Sequence, residues 1–141
     1  MKIIAVIPAY NTEQVVADVV ASVRPHVKEI VVVDDGSRDQ TAERAAAAGA
    51  LVAAHSVNRG QGAALQTGME LALLRGADIV VHFDSDGQHP AHQIQALVSP
   101  IMAGETDVVM GSRFLDQTSN VPPIRRLVLK AGGIFTRIVS G

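Results

Sequence analysis

Short runs of aliphatic, mostly β-branched residues alternate along the chain with longer stretches rich in Ala, Leu and polar residues. The short runs predict five strands, at residues 3–7, 30–34, 51–55, 79–83 and 108–111. They are apolar at almost every position, which is typical of strands buried on both faces of a parallel sheet.

The stretches between these runs carry apolar residues at helical spacing and predict four helices, at residues 12–24, 41–48, 61–75 and 91–103. A Ser37-x-x-Gln40 pattern predicts a capping box at the start of the second helix, and Pro90 suits the first turn of the fourth. Repeated alternation of strand and helix predicts an open, mostly parallel, doubly wound α/β sheet.

The last part of the chain predicts a further element. After the loop at residues 115–123, apolar side chains recur at helical spacing while Arg126, Lys130 and Arg137 share another face, which predicts a basic amphipathic C-terminal helix. Residues 113–141 hold five Lys and Arg against one acidic residue, whereas residues 1–112 hold seven against thirteen. We therefore divide the chain into a core at 1–112 and a basic segment at 113–141, whose apolar stripe is also suited to a homodimer contact.

Composition removes several classes of function. The chain has no Cys, which excludes disulfides and thiolate chemistry and fits a cytoplasmic location. One Tyr, three Phe and no Trp give no stacking platform for single-stranded nucleic acid, so nucleic acid is not an expected partner. No apolar run approaches the roughly 20 residues of a membrane span, and Met1-Lys2 leads directly into a strand rather than a signal peptide.

Polar or Gly-rich segments follow every predicted strand. They comprise Pro8 to Asn11, Asp34 to Ser37, Asn58 to Gly62, Asp84 to Gln88 and Gly111 to Arg113. In open α/β sheets the ligand crevice lies outside the carboxyl ends of the strands, so these five segments are expected to form one binding rim.

The strongest chemical signal is the pair of carboxylates in Asp84-Ser85-Asp86, directly after an apolar strand. Two carboxylates at a strand exit can approach one hard cation, and oxygen ligands favour Mg²⁺ or Mn²⁺. The same pair is compatible with capping of a turn, or with the aspartyl nucleophile of a haloacid-dehalogenase-type phosphohydrolase. His89 is close enough in sequence to support the pair, and the other His residues are interpreted as structural.

Two other segments are suited to a nucleotide. The carboxylates of Asp34 and Asp35 can accept hydrogen bonds from a nucleobase or a ribose, while Gly36 and Ser37 are typical of a turn. Gly60-x-Gly62 lacks the third Gly of a dinucleotide fingerprint, but its backbone N–H groups and the following helix N-terminus can face a phosphate or sugar.

Five stretches together resemble the family-2 glycosyltransferases of GT-A fold, and most closely their polyprenyl-phosphate, dolichol-phosphate-mannose-synthase-like branch. The stretches are IPAYNTE (7–13), VVVDDGSRDQT (31–41), NRGQGAALQTG (58–68), FDSDGQHP (83–90) and DVVMGSRF (107–114). They occur in family order at family-like spacing and span nearly the whole chain.

The resemblance implies a role for each matching residue. Those around the nucleotide sugar would be Pro8, Ala9, Tyr10, Glu13, Asp34, Asp35, Gly62, Asp84, Ser85 and Asp86. Asp84 and Asp86 would hold Mg²⁺ or Mn²⁺, with Gln88 completing the metal shell. Asp86 and Arg113 would serve catalysis, and Arg113, Arg126 and Lys130 would face the phosphate of the acceptor.

The implied activity is metal-dependent transfer of a sugar, with inversion, from a nucleoside-diphosphate sugar to a polyprenyl-phosphate or sugar acceptor. The sequence offers no evident general base, which favours an anionic lipid phosphate and peripheral attachment to the cytoplasmic membrane face. A base in the C-terminal part that family members carry beyond this point explains the gap equally well. Gln61 departs from the Lys usual at its position. Family members also continue past the position of Gly141, so we expect a truncated acceptor side, and a nucleotide-sugar-binding fragment without turnover remains the alternative.

Overall fold

The computed structural model describes residues 1–111, which form an open sheet with helices on both faces. The strands are β1 (Ile3–Ala9), β2 (Glu29–Asp34), β3 (Leu51–Ala54) and β4 (Ile79–His82). They are ordered β3-β2-β1-β4, and every neighbouring pair is parallel. The α-helices are α1 (Val16–Val23), α2 (Thr41–Ala47), α3 (Gln61–Leu74) and α4 (Ile94–Met102), with short 3₁₀ turns at Arg24–His26 and Ala91–Gln93. The predicted doubly wound α/β sheet is confirmed.

The alternating side chains of the central strands build one core on each face of the sheet. Ile4 and Val6 of β1 pack with Val31 and Val33 of β2 beneath α3. The intervening positions, including Ala5 and Ile7, pack against α1, α2 and α4 on the other face. Burial on both faces explains why these strands are apolar throughout rather than alternating.

Gly68 allows α3 to lie directly on the sheet. A Cβ atom at this position would stand 2.2 Å from Val6 Cγ1 and 3.1 Å from Val33 Cγ2. Only a residue without a side chain fits such an approach. The close contact fixes the height of α3 above β1 and β2, and so the position of the helix N-terminus.

Two local predictions are wrong. The expected strand at residues 108–111 does not form. Instead, the Thr106 hydroxyl contacts both the N–H and the carbonyl oxygen of Val108, at 3.4 and 3.0 Å. The expected capping box of α2 is also absent. The Asp39 carboxylate accepts from the N–H of Thr41 at 3.0 Å, while the Ser37 N–H donates to Asp34. The first helix begins at Val16, after a turn in which Val15 N–H donates to Thr12 O.

The predicted C-terminal helix, which contains Arg126 and Lys130, lies outside the described residues, as does Arg113. The division of the chain at residues 112 and 113 stays a prediction. No helix within residues 1–111 has the length and apolar character required to cross a bilayer.

Candidate functional site

A cleft of about 470 Å³ opens at the carboxyl ends of the four strands. Its walls come from the segments after β1, β2 and β4 and from the loop that leads into α3. The residues lining it are Pro8, Ala9, Tyr10, Thr12, Asp35, Asn58, Gly60, Gln61, Ala64, Asp84, Ser85 and Asp86. Four of the five polar segments therefore meet at one rim, because parallel strands all end at the same edge of the sheet.

The cleft wall is acidic. Among the described residues that line it, three are carboxylates, at Asp35, Asp84 and Asp86, and none is Lys or Arg. An anionic ligand would be repelled by such a wall unless a cation accompanied it. The residues of this wall therefore suit a cationic ligand, or an anion that enters as its metal complex.

Asp35 is held by three donors below the cleft. Its Oδ1 accepts from the His55 ring at Nδ1, 2.6 Å away, and from Arg59 N–H at 2.9 Å, and its Oδ2 accepts from Gly60 N–H at 2.7 Å. The residue is only 3% exposed. Burial by itself raises the pKa of the Asp35 carboxyl, but the hydrogen bonds from Arg59, His55 and Gly60 outweigh burial and keep that pKa below its ordinary value. The carboxylate therefore stays ionised.

Asp34 serves the turn after β2 rather than the cleft. Its Oδ1 accepts from the backbone N–H of Ser37 at 3.1 Å and from the Ser37 hydroxyl. Gly36 between them has a φ of +74° at a bend of the chain, as suits a Gly at this position. Asp34 is not among the lining residues of the cleft.

The loop after β1 is joined to the loop after β2 by reciprocal hydrogen bonds. Asn11 N–H donates to Ser37 Oγ at 2.9 Å, and Asn11 Oδ1 accepts from Arg38 N–H at 2.9 Å. The Glu13 carboxylate accepts from Gln40 N–H at 3.0 Å, at the start of α2. Glu13 thus connects the loop after β1 to the start of α2, and it does not line the cleft. Asn11 forms its two hydrogen bonds in a left-handed backbone conformation, with a φ of +50°.

Thr12, in the same loop, has a buried hydroxyl. Within residues 1–111 it is the buried side-chain polar atom that has no hydrogen-bond partner, and Thr12 lines the cleft. Buried polar groups in native proteins almost always have a partner. A ligand in the cleft can supply the partner that Thr12 lacks.

Asp84 and Asp86 follow β4 and both line the cleft. Asp84 Oδ1 accepts from Gln61 Nε2 at 3.3 Å, and Asp84 Oδ2 lies 3.1 Å from His89 Nε2. Asp86 Oδ1 accepts from the backbone N–H of Gln88 at 2.9 Å. His89 therefore contacts one member of the pair, Asp84, as its position in the sequence suggested.

The donor set fits a cation shared with a ligand. Within residues 1–111 no group of three or more His, Cys, Asp or Glu side chains is arranged to hold a metal ion. Mg²⁺ is commonly bound through one or two carboxylates, with substrate phosphates and water completing its shell. Asp84 and Asp86, only two residues apart in a described wall without Lys or Arg, suit that mode. Gln88 does not line the cleft, so a contact between its side chain and the metal stays a prediction.

The structure thus brings together some of the predicted site residues and separates others. Those that line the cleft are Pro8, Ala9, Tyr10, Asp35, Asp84, Ser85 and Asp86. Glu13, Asp34, Gly62 and Gln88 do not line it, and Arg113, Arg126 and Lys130 lie outside the described residues.

Several residues of the site were missing from the sequence prediction. Thr12 and Ala64 line the cleft, and His55 contacts Asp35 beneath it; Asn58, Gly60 and Gln61 also line the cleft, in a segment that was predicted to belong to the rim. The loop that contains Asn58 and Gln61 was identified, but no pattern shows which of its side chains face inward. His55 gave no signal, because its partners Asp35 and Thr67 are distant in sequence.

The family model for glycosyl transferase family 2 matches residues 4–137. The UDP-N-acetylglucosamine–dolichyl-phosphate N-acetylglucosaminyltransferase of Methanococcus voltae is 32% identical over 96% of this chain and 62% of its own length. The undecaprenyl-phosphate mannosyltransferase of Micrococcus luteus is 31% identical over 100% of this chain and 61% of its own. The chain thus spans about three fifths of the length of these relatives.

A solved structure has a similar fold. Glucosyl-3-phosphoglycerate synthase from Mycobacterium tuberculosis, crystallised with Mn²⁺, UDP-glucose and phosphoglyceric acid, is 36% identical with a TM-score of 0.61. The match covers 74% of this chain and 40% of that one. The similarity supports the predicted GT-A type of α/β fold.

Proposed function

Because the chain belongs to glycosyl transferase family 2, we propose that its cleft binds a nucleoside-diphosphate sugar together with Mg²⁺ or Mn²⁺. We further propose that the protein transfers the sugar, with inversion, to a polyprenyl phosphate or another sugar acceptor. The observation that carries the proposal is the charge of the cleft, whose described wall holds three carboxylates and no Lys or Arg. A diphosphate enters such a wall only when a cation neutralises it.

In this scheme Asp84 and Asp86 hold the cation. The bound metal would neutralise charge that develops on the leaving nucleoside diphosphate. Gln61 and His89 each contact one oxygen of Asp84 and so orient its carboxylate toward the cleft. The mycobacterial synthase was crystallised with Mn²⁺ and UDP-glucose, which supports the use of a divalent ion with a nucleotide sugar.

The nucleoside would occupy the side of the cleft formed by the segments after β1 and β2. Pro8, Ala9 and the half-exposed ring of Tyr10 provide apolar surface there, and the unpaired Thr12 hydroxyl provides a polar contact. The ionised Asp35 retains acceptor capacity, since a carboxylate offers about four lone-pair positions and three are used by the protein.

The acceptor is proposed from the relatives and the charge of residues 113–141. Both relatives are named for transfer to a polyprenyl phosphate. Arg113, Arg126 and Lys130 are the cations of this segment proposed to face the acceptor phosphate. An acceptor of this kind would bring the protein to the cytoplasmic face of the membrane, and a homodimer through the C-terminal segment remains a separate proposal.

Transfer can be tested with radiolabelled UDP- and GDP-sugars, a polyprenyl phosphate in detergent and Mn²⁺. We expect labelled lipid from the wild-type chain and loss of at least about a hundredfold in rate for Asp86→Asn, since metal stabilisation of the leaving group contributes several kcal/mol. Asp78→Asn is the matched control, because Asp78 lies at the opposite end of β4, where it accepts from Lys2 N–H.

Full activity of Asp86→Asn would refute the assigned role of the carboxylate pair. Metal-dependent binding of nucleotide without any transfer would favour the second candidate, a nucleotide-sugar-binding unit. This candidate fits the proposal that the described lining residues contact the donor. The phosphohydrolase alternative is not favoured, because none of the described lining residues is Lys.

A further inference from the structure

Three side chains form a buried chain of hydrogen bonds beneath the cleft. His55 Nδ1 lies 2.6 Å from Asp35 Oδ1, and His55 Nε2 lies 2.9 Å from Thr67 Oγ1. The side chains of His55 and Asp35 are only 8% and 4% exposed. The chain connects the ends of β2 and β3 to the middle of α3.

The partners of the ring define its protonation pattern. An ionised Asp35 can only accept, so Nδ1 carries a proton and donates to it. Nε2 lies within hydrogen-bond distance of the Thr67 hydroxyl, which can act as donor or acceptor. Both ring nitrogens are thus satisfied without water, and the ring has one orientation that serves both partners.

Asp35 in turn fixes the loop between β3 and α3. The carboxylate accepts from the N–H groups of Arg59 and Gly60 at 2.9 and 2.7 Å, in addition to His55. Gly60 has a φ of +92°, a conformation that Gly adopts readily and other residues rarely. Three of the residues that line the cleft belong to this loop or to the first turn of α3, namely Asn58, Gly60 and Gln61.

His55 itself does not line the cleft, so it can reach a ligand only through Asp35. We propose that His55 is a positioning residue, which holds the Asp35 carboxylate in the orientation that closes the β3–α3 loop over the nucleotide. This inference rests on the proposed function, because it assigns the loop to the nucleotide side of the donor site. A residue that merely filled space would have no such effect on affinity.

The test compares two variants. His55→Leu introduces an apolar side chain of related size and removes the donor, whereas the amide of His55→Asn can still donate near the position of Nδ1. Val23→Ala is the control for general destabilisation, because Val23 is fully buried on the opposite face of the sheet, remote from the loop. Two quantities are measured: the exchange rates of the Arg59 and Gly60 amide protons by NMR, and the Kd for UDP and GDP with Mn²⁺ by calorimetry.

We expect faster exchange of both amides in His55→Leu and a Kd about tenfold higher, if the released loop spends about a tenth of its time in the binding arrangement. His55→Asn should recover most of both quantities, and Val23→Ala should leave the Kd unchanged. An unchanged Kd in His55→Leu, or an equal loss in Val23→Ala, would overturn the proposal.

Failure of the proposed function has a different signature. A wild-type chain that binds neither nucleotide would refute the donor site, and with it the effect of His55 on affinity. The amide exchange rates would still decide whether His55 fixes the loop, because they require no ligand.

Discussion

Substitution of Gly68 by Ala tests how closely α3 must approach the sheet. The new methyl group would lie 2.2 Å from Val6 Cγ1, whereas ordinary van der Waals contact begins at 3.4 Å. Val6 is fully buried in the central strand and cannot turn toward solvent. The helix must therefore move away from β1, or the side chains of Val6 and Val33 must leave their preferred rotamers.

The expected loss of stability follows from two opposing contributions. Overpacking of a core costs about 1–3 kcal/mol, and the severe overlap with Val6 places Gly68→Ala at about 3 kcal/mol. Replacement of Gly by Ala inside a helix returns about 1 kcal/mol. We expect a net loss of about 2 kcal/mol in the free energy of unfolding, which lowers the urea midpoint by about 1 M for a slope of about 2 kcal/mol per M.

The assay is urea unfolding followed by circular dichroism, and the matched control is Gly62→Ala on the same helix. A Cβ at Gly62 has no atom within 4 Å, so this variant should keep or slightly raise the midpoint. Equal midpoints for the two variants would refute the reasoning, because they would show that α3 is not seated on the sheet through Gly68.

Two further predictions concern the loop and the opposite edge of the sheet. Gly36→Ala should both destabilise the fold and weaken nucleotide binding. Gly36 has a φ of +74°, and a Cβ there would lie 2.6 Å from the backbone carbonyl carbon of Val57. Unchanged nucleotide affinity would contradict this. Hydrogen bonds from Lys2 and Arg75 keep the pKa of the Glu29 carboxyl below its ordinary value of 4.5. Glu29 therefore stabilises the fold fully above pH 4.5, and this contribution is lost as the pH falls through the lower pKa of the folded state. Thermal unfolding of Glu29→Gln should therefore depend less on pH in this acidic range than wild type, and parallel curves would contradict the ion-pair account.

The sheet could be predicted from the sequence because its two central strands, β1 and β2, are buried on both faces. Continuous apolar runs such as that around Val31 leave few alternatives, and the polar residues after them mark the ligand edge. The predicted strand at residues 108–111 is absent because these residues are not buried in the sheet. Its residues are apolar enough for a strand, but Val108 and Met110 are 72% and 86% exposed, and no neighbouring strand pairs with them within the described residues.

The candidate site was predicted at the level of segments rather than side chains. Asp34 and Asp35 are adjacent and identical in chemistry, yet one caps a turn while the other ties the β3–α3 loop. Strand alternation shows that the side chains of Asp34 and Asp35 point in different directions, but it does not show which of the two faces the cleft. Glu13 illustrates the same limit, because its role at the start of α2 depends on a loop about 27 residues away.

Metal-dependent binding of the nucleotide tests the central claim most directly. Calorimetric titration of UDP and GDP into the chain, with and without Mn²⁺, should show binding of at least one nucleotide only when the metal is present. The binding should be lost in Asp86→Asn and retained in Asp78→Asn. Equal affinity with and without metal, or undiminished binding by Asp86→Asn, would contradict a diphosphate site built on Asp84 and Asp86.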